Sequence, residues 1–278
     1  MGETRTMDMS RFDNCRVLVI GDLMIDEYVW GHVERISPEA PVQVVSVLRE
    51  SVTLGGSGNV VNNLVALGAR VAVAGVVGAG ANSDLLIEMF GSRSVDISGL
   101  IRDPARQTTR KTRIIGGHQH VLRIDRETTT QISQEHHERL VAYLKTRVDG
   151  FDIVLISDYG KGLLTPALLR DVIDVAQGHG RPVIADPKGL DFRKYAGATA
   201  ITPNQKEASL AAGIEVVDYD SLLAAGTKLL RDTGIDTVLI TCGKDDMVLF
   251  QQGKAPYPIS AEARQVFDVS GAGDTVLA

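Results

Sequence analysis

Apolar residues come in short unbroken runs, separated by stretches in which they recur every third or fourth position. The runs are Arg16-Val17-Leu18-Val19-Ile20 and residues 71–77, 151–157, 182–186, 200–202 and 237–241. A strand that is apolar at consecutive positions is covered on both faces, the habit of parallel sheets. Helical spacing predicts helices over residues 58–67, 83–90, 133–148, 165–177, 206–212 and 219–232. Thr165-Pro166 puts proline at a first helical position, while Ser133 followed by His136 makes only half a capping box. The alternation predicts βαβ units, and hence a three-layer α/β/α domain with a mainly parallel central sheet.

Two regions break the rhythm. Residues 42–48 alternate Val with Gln and Ser, and residues 108–125 alternate apolar with charged positions. Both read as strands with one wet face, antiparallel and outside the main sheet. The lid they predict spans approximately residues 31–50 and 106–126, and it can cover a site at the C-terminal edge of the main strands. No internal repeat or linker divides the chain, so residues 1–278 read as one domain.

Composition narrows the function. The net charge of −6 comes with basic residues scattered along the chain, which argues against nucleic acid or an anionic membrane as partner. Cys15 and Cys242 are far apart and lack metal-ligand spacing, so neither a disulfide framework nor a zinc site is expected. The first residues lack the apolar core of a signal peptide, and no apolar run reaches the roughly 20 residues of a membrane span. A cytoplasmic protein is expected.

Carboxylates fall just after the predicted strands: Asp22 and Asp26, Asp158, Asp186, and Asp274 near the end. Strand ends in such sheets converge on one edge, so these residues can share a cleft. Each can equally be a turn former or a helix cap. Asp268-Val269-Ser270-Gly271-Ala272-Gly273-Asp274-Thr275 carries the most chemistry. Its small residues let the backbone close on an anion, and an Asp directly after them can take a hydroxyl proton. The plainer reading is a glycine-rich loop with a capping Asp.

Gly271-Ala272-Gly273-Asp274 resembles the anion hole and catalytic base of the PfkB (ribokinase-type) carbohydrate kinases. Gly55-Gly56-Ser57-Gly58-Asn59 resembles that family's paired-glycine signature, with Ser57 and Val61 where the motif has smaller residues. Gly21-Asp22-Leu23-Met24-Ile25-Asp26 resembles its first-strand motif, and Asn204-Gln205-Lys206-Glu207 its NxxE motif. Thr241-Cys242-Gly243-Lys244 is similar to its nucleotide-phosphate segment, with Asp246 replacing a later Gly. Within the family, residues 35–42, Ser157-Asp158-Tyr159-Gly160-Lys161-Gly162, Asp186-Pro187-Lys188-Gly189, Lys111-Thr112-Arg113 and Arg123-Ile124-Asp125 resemble the D-glycero-β-D-manno-heptose-7-phosphate kinases.

The resemblance implies a ribokinase-like fold and phosphorylation of the anomeric C1 hydroxyl by ATP, in heptose synthesis for lipopolysaccharide core. It makes Asp274 the base and Gly271, Ala272 and Gly273 the anion hole. Sugar contacts would come from Asp22, Asp26, Gly55, Gly56, Asn59, Asp158 and Asp186, with Arg113, Arg123, Lys161 and Lys188 on the 7-phosphate. Asn204, Glu207, Thr241, Gly243 and Lys244 would face the nucleotide, Asn204 and Glu207 also positioning Mg²⁺ through water. It further implies a homodimer through the lid strands, and a continuation beyond Ala278 that carries the adenine-side contacts. Other acceptors of ribose or fructose type, or a non-catalytic sugar or nucleotide sensor, are the alternatives. Gly78-Ala79-Gly80-Ala81-Asn82-Ser83 mimics a dinucleotide fingerprint but has Ser at the third glycine. His118 and His120 share a strand face without a third metal ligand and read as polar lid residues.

Overall fold

A computed structural model describes residues 12–13, 15–117, 119–243, 246–260 and 271–278. The main sheet is built from β1 (Arg16–Gly21), β4 (Arg70–Gly78), β5 (Asp96–Asp103), β8 (Ile153–Ser157), β9 (Val183–Asp186), β10 (Ala200–Ile201), β11 (Thr237–Thr241), β12 (Met247–Gln251) and β13 (Tyr257–Ile259). Its order is β13-β12-β11-β10-β9-β8-β1-β4-β5. Every neighbouring pair from β11 to β5 is parallel, and β12 and β13 add an antiparallel edge.

The unbroken apolar run of β1 explains the layers. Leu18 and Ile20 enter one core with Leu144, Leu168, Leu169 and Ile173. Val17 and Val19 enter a second core with Val60, Val61, Leu64 and Leu86. One face is therefore covered by α3 (Gln134–Arg147) and α4 (Pro166–Gly178), together with α5 (Gln205–Ala212) and α6 (Tyr219–Thr233). The other is covered by α1 (Ser57–Ala66) and α2 (Ala81–Gly91), with Leu277 of the short α7 (Ala272–Leu277) beneath them. The predicted α/β class holds, and no helix among the described residues is long and apolar enough to cross a membrane.

The lid is a separate four-stranded sheet of β2 (Leu23–Ile36), β3 (Gln43–Gly56), β6 (Thr109–Gly116) and β7 (Gln119–Arg126), in the order β3-β2-β6-β7. It reaches further than residues 31–50, because β2 starts at Leu23, directly after Asp22. The all-antiparallel expectation is corrected at one pair: β2–β3 and β6–β7 are antiparallel, but β2–β6 is parallel. The chain from α1 through β5 forms the long crossover that a parallel pair needs.

The sheet order reverses beside β1: the chain moves outward from β1 through β4 to β5, then returns to β8 and moves the other way. Open α/β sheets bind ligands at such a switch, outside the strand ends. Asp22 follows β1 there and Asp158 follows β8.

Candidate active site

The turns after β1 and β8 are fastened together. Ser57 donates its hydroxyl to the Ser157 carbonyl (3.1 Å), so the departure from a smaller residue at this position becomes a buried tie between α1 and β8. Asp22 Oδ2 accepts the backbone N–H of Tyr159 (2.9 Å) and of Lys161 (3.1 Å). Burial pushes the Asp22 carboxyl above its ordinary value, opposed by those two amides. Asp158, also buried, accepts from the Gly160 amide, the Lys194 ammonium and the Tyr195 hydroxyl. These two carboxylates fix the shape of the 158–162 turn. Arg106 braces it from outside, donating to the carbonyls of Thr128, Thr130 and Lys161.

That turn delivers Tyr159 to Asp274. The Tyr159 hydroxyl donates to Asp274 Oδ1 at 2.5 Å, and the Asn59 amide of α1 donates to Oδ2 at 2.7 Å. One turn further along α1, Asn63 donates to the Thr275 hydroxyl, so a single helix face holds consecutive residues of α7. Burial raises the Asp274 pKa, while the hydrogen bonds from Asn59 and Tyr159 work the other way. Burial and the Asp274 charge raise the phenol of Tyr159 far above its ordinary value, so it stays a donor. Gly271 caps α7 with φ 83°, and a Cβ there would run into the Asn59 amide that holds Asp274.

Asp274 opens into a cleft of about 200 Å³, which Gly271, Gly273, Asp158 and Tyr159 line on one side. Asp186, Lys188, Asn204, Glu207 and Thr241 line the other. A second cleft of about 450 Å³ continues from it, sharing Asn204 and Thr241 and extending to Lys206, Cys242 and Gly243. Asn204 and Glu207 form a full capping box on α5: the Glu207 N–H donates to Asn204 Oδ1 (2.9 Å), and the Asn204 N–H donates to Glu207 Oε2 (3.1 Å). Helix capping therefore explains the Asn-x-x-Glu spacing, and it also places Asn204 where the two clefts join and Glu207 in the first of them. Burial, then the charges of Glu207 and Asp274, push the Asp186 carboxyl up to about 8.

The remaining predicted site residues are placed differently. Asp26 lies in the lid and pairs with Arg113 (2.5 Å); a Cβ on Gly55 would strike that carboxylate, and Gly56 adopts φ 53° where the lid strand enters α1. Arg123 pairs with Asp125 at an exposed edge, Lys161 with Glu127, and Lys188 with Glu207. Each of the four cations expected at the acceptor phosphate thus has a carboxylate partner. Ala272 is exposed on α7, and Lys244 lies outside the described residues, as does His118. Neither Cys15 nor Cys242 takes part in a disulfide. Sequence reasoning gave no role to Tyr159, although the turn that holds it was singled out, and none to Arg106 or Lys111.

A buried carboxylate held by an amide and a phenol thus borders one cleft on the strand ends of a mainly parallel sheet, and a second cleft continues from it past Asn204 and Thr241. The family model described as "pfkB family carbohydrate kinase" matches residues 15–278, and the chain belongs to that family. It is 54% identical over 272 residues to the "Bifunctional protein HldE" of Desulfatibacillum aliphaticivorans, covering 98% of this chain and 56% of that protein. To the protein of the same name from Geobacter sulfurreducens it is 51% identical over 261 residues, covering 94% and 53%. The chain thus spans about half the length of the curated relatives it matches. Among solved structures, Escherichia coli phosphofructokinase-2 in its tetrameric inhibited form has a TM-score of 0.76 at 17% identity, covering 95% of this chain and 85% of that one. Arabidopsis thaliana ribokinase complexed with ribose and ATP has a TM-score of 0.71 at 21% identity, covering 94% and 83%. At these identities the structures establish the ribokinase-like fold.

Proposed function

We propose that the protein phosphorylates the anomeric C1 hydroxyl of D-glycero-β-D-manno-heptose 7-phosphate with ATP, giving the 1,7-bisphosphate for lipopolysaccharide core synthesis. The observation that carries the reading is the setting of Asp274, a buried carboxylate held by Asn59 and Tyr159 and open to the cleft beside Gly271 and Gly273. The likeness to two proteins named HldE supports the choice of acceptor through the blocks of residues that pointed to heptose kinases.

Asp274 accepts the proton of the C1 hydroxyl as that oxygen bonds to the γ-phosphorus. The bond from γ-phosphorus to the bridging oxygen breaks, and ADP leaves with the electron pair. The amides of Gly271, Ala272 and Gly273 face the charge on the transferring group. Asp26, Gly55, Gly56 and Asn59 border the sugar from the lid side, with Asp158 and Asp186 below. Asp22 acts through the turn it holds. The nucleotide runs along the second cleft past Asn204, Thr241 and Gly243, with Lys244 completing that segment. Such a reaction depends on positioning and charge compensation more than on covalent chemistry.

The residues present fit a magnesium ion. Asp186, Glu207 and Asp274 bring three carboxyls to the cleft, with Lys188 paired to Glu207, and burial followed by the charges of Glu207 and Asp274 holds the Asp186 carboxyl up. Among the described residues no group of three or more His, Cys, Asp or Glu could hold a metal directly. Mg²⁺ retains waters and commonly binds through one or two carboxylates and substrate phosphates, so Asn204 and Glu207 would hold it through water. When bound, it would neutralise phosphate charge during transfer.

Homodimerisation through the lid belongs to the same proposal. Ile36, Val47, Leu48 and Leu122 are exposed there and offer an apolar surface to a second copy. Sedimentation equilibrium that finds only monomer at micromolar concentration removes this part.

The base assignment is tested with Asp274→Asn. The expected outcome is a kcat lower by about 10²–10⁴-fold, with sugar and nucleotide dissociation constants within a few fold of wild type. Near-normal turnover would take Asp274 out of the role.

A further inference from the structure

We propose that Tyr195, fully buried and outside the cleft lining, is a positioning residue for the phosphoryl transfer, because its hydroxyl locks together the two turns that carry Tyr159 and Lys188 into the cleft. The inference deepens the kinase reading and rests on it. The two turns, residues 158–162 and 186–189, leave the neighbouring parallel strands β8 and β9. At their start the Asp158 N–H donates to the Asp186 carbonyl (3.1 Å). Further out the link is Tyr195. Its hydroxyl donates to Asp158 Oδ2 (2.6 Å) and accepts the Lys188 N–H (2.8 Å). One hydroxyl thus serves a side chain of the first turn and the backbone of the second.

The fold holds that hydroxyl in place. Tyr195 closes a short 3₁₀ turn, Phe192–Tyr195, which Asp191 caps by accepting the Arg193 N–H (3.0 Å). Its ring meets Phe192 edge-on at 6.1 Å, within the core that α4 and α6 cover. Lys194 of the same turn lays its ammonium over the ring (4.9 Å) and donates to the same Asp158 oxygen (2.8 Å). Asp158 Oδ1 takes the Gly160 amide (2.8 Å). A buried carboxylate with its partners in place is a stiff anchor, because losing any one of them is costly.

From that anchor the contacts lead to the proposed base. The residue after Asp158 is Tyr159, whose hydroxyl donates to Asp274 Oδ1 and whose N–H is held by Asp22. Burial and the Asp158 charge raise the Tyr195 phenol far above its ordinary value, so it stays a donor to Asp158. Without that hydroxyl the Lys188 N–H loses its acceptor, Asp158 loses a donor, and both turns are freed to shift. A looser Tyr159 bond favours the charged form of Asp274 less, so the Asp274 pKa rises. Asp274 also feels Asp26 from β2, Lys111 from β6 and Asp186 from β9, none of them bonded to Tyr195.

The test is a double-mutant cycle of Tyr195→Phe with Tyr159→Phe, and Lys194→Met serves as a second, milder disturbance of Asp158. It is read by the pH profile of kcat/KM on heptose 7-phosphate and by a carboxyl-carbon NMR titration of Asp274, which needs no turnover. Tyr195→Phe is expected to raise the Asp274 midpoint by up to about one unit. It should lower kcat about 10- to 100-fold and change the KM for ATP less than about threefold. Lys194→Met is expected to move the midpoint the same way by less. In the Tyr159→Phe background neither change moves it further, because the bond through which both act is gone. If Tyr195→Phe lowers the melting temperature while Asp274 titrates as in wild type, or shifts it equally in both backgrounds, the relay is overturned and the function stands. Should Tyr195→Phe fail to fold, the cycle with Lys194→Met decides by the same criterion. If the cycle comes out as expected but wild type phosphorylates no sugar, the relay stands and the kinase assignment falls.

Discussion

Asp274 is gripped at both oxygens, and the two grips differ in chemistry. Asn59 belongs to a helix packed in the core, whereas Tyr159 belongs to a turn held by Asp22 and Arg106. A hydrogen bond donated to a carboxylate favours its charged form, so losing one raises its pKa. Tyr159→Phe is therefore expected to move the acidic limb of the kcat/KM profile to higher pH, by roughly one unit. The KM for ATP should change little. A profile that only drops in height, with its limb unmoved, would make Tyr159 a packing residue. Small residues before an Asp drew attention to Asp274 and its glycines, although a capped glycine loop accounts for the same pattern, and the contacts to Asn59 and Tyr159 come only with the fold. Tyr159 was not legible, since a tyrosine in a turn looks like any half-buried aromatic until the fold brings it from 115 positions away.

Local capping and substrate handling coincide in α5. Asn204 closes the helix start and also borders both clefts, so one substitution tests two consequences. Asn204→Ala is expected to cost about 1 kcal/mol of stability through the lost cap and to raise the Mg²⁺ concentration needed for half-maximal rate. Asn204→Ser keeps a capping oxygen, so it should restore the melting temperature while leaving much of the Mg²⁺ defect. Recovery of both by Ser would leave Asn204 a cap alone; calorimetry and a Mg²⁺ titration read the two effects. The helices were visible in the sequence because their apolar stripes and caps, such as Thr165-Pro166, are local signals. The edges were harder. In β5, Gly99 interrupts the apolar pattern at a point of close approach to Ala74 and Tyr143, and β13 is three residues with a proline. The parallel pairing of β2 with β6 depends on a crossover through two helices, which alternation within either strand cannot show.

For the molecule as a whole, the reversal of strand order beside β1 gathers residues from both ends of the chain. Carboxylates collect at the strand ends, while the lid carries cations paired with its own carboxylates, Arg110 with Glu27, Arg113 with Asp26 and Arg123 with Asp125. The expected cluster at the strand ends was legible because α/β topology sends those ends to one edge. Which cations are already neutralised was not, because pairs such as Lys188 with Glu207 and Arg113 with Asp26 join residues far apart in sequence. The central claim is that this cleft transfers phosphoryl from ATP to a sugar phosphate at its anomeric oxygen. It is tested most directly by incubating the purified protein with MgATP and heptose 7-phosphate and following the products by phosphorus NMR. The account predicts stoichiometric ADP and a new anomeric phosphate resonance beside the unchanged 7-phosphate. ATP and the 7-phosphate persisting unchanged, in a preparation that binds both, would contradict it.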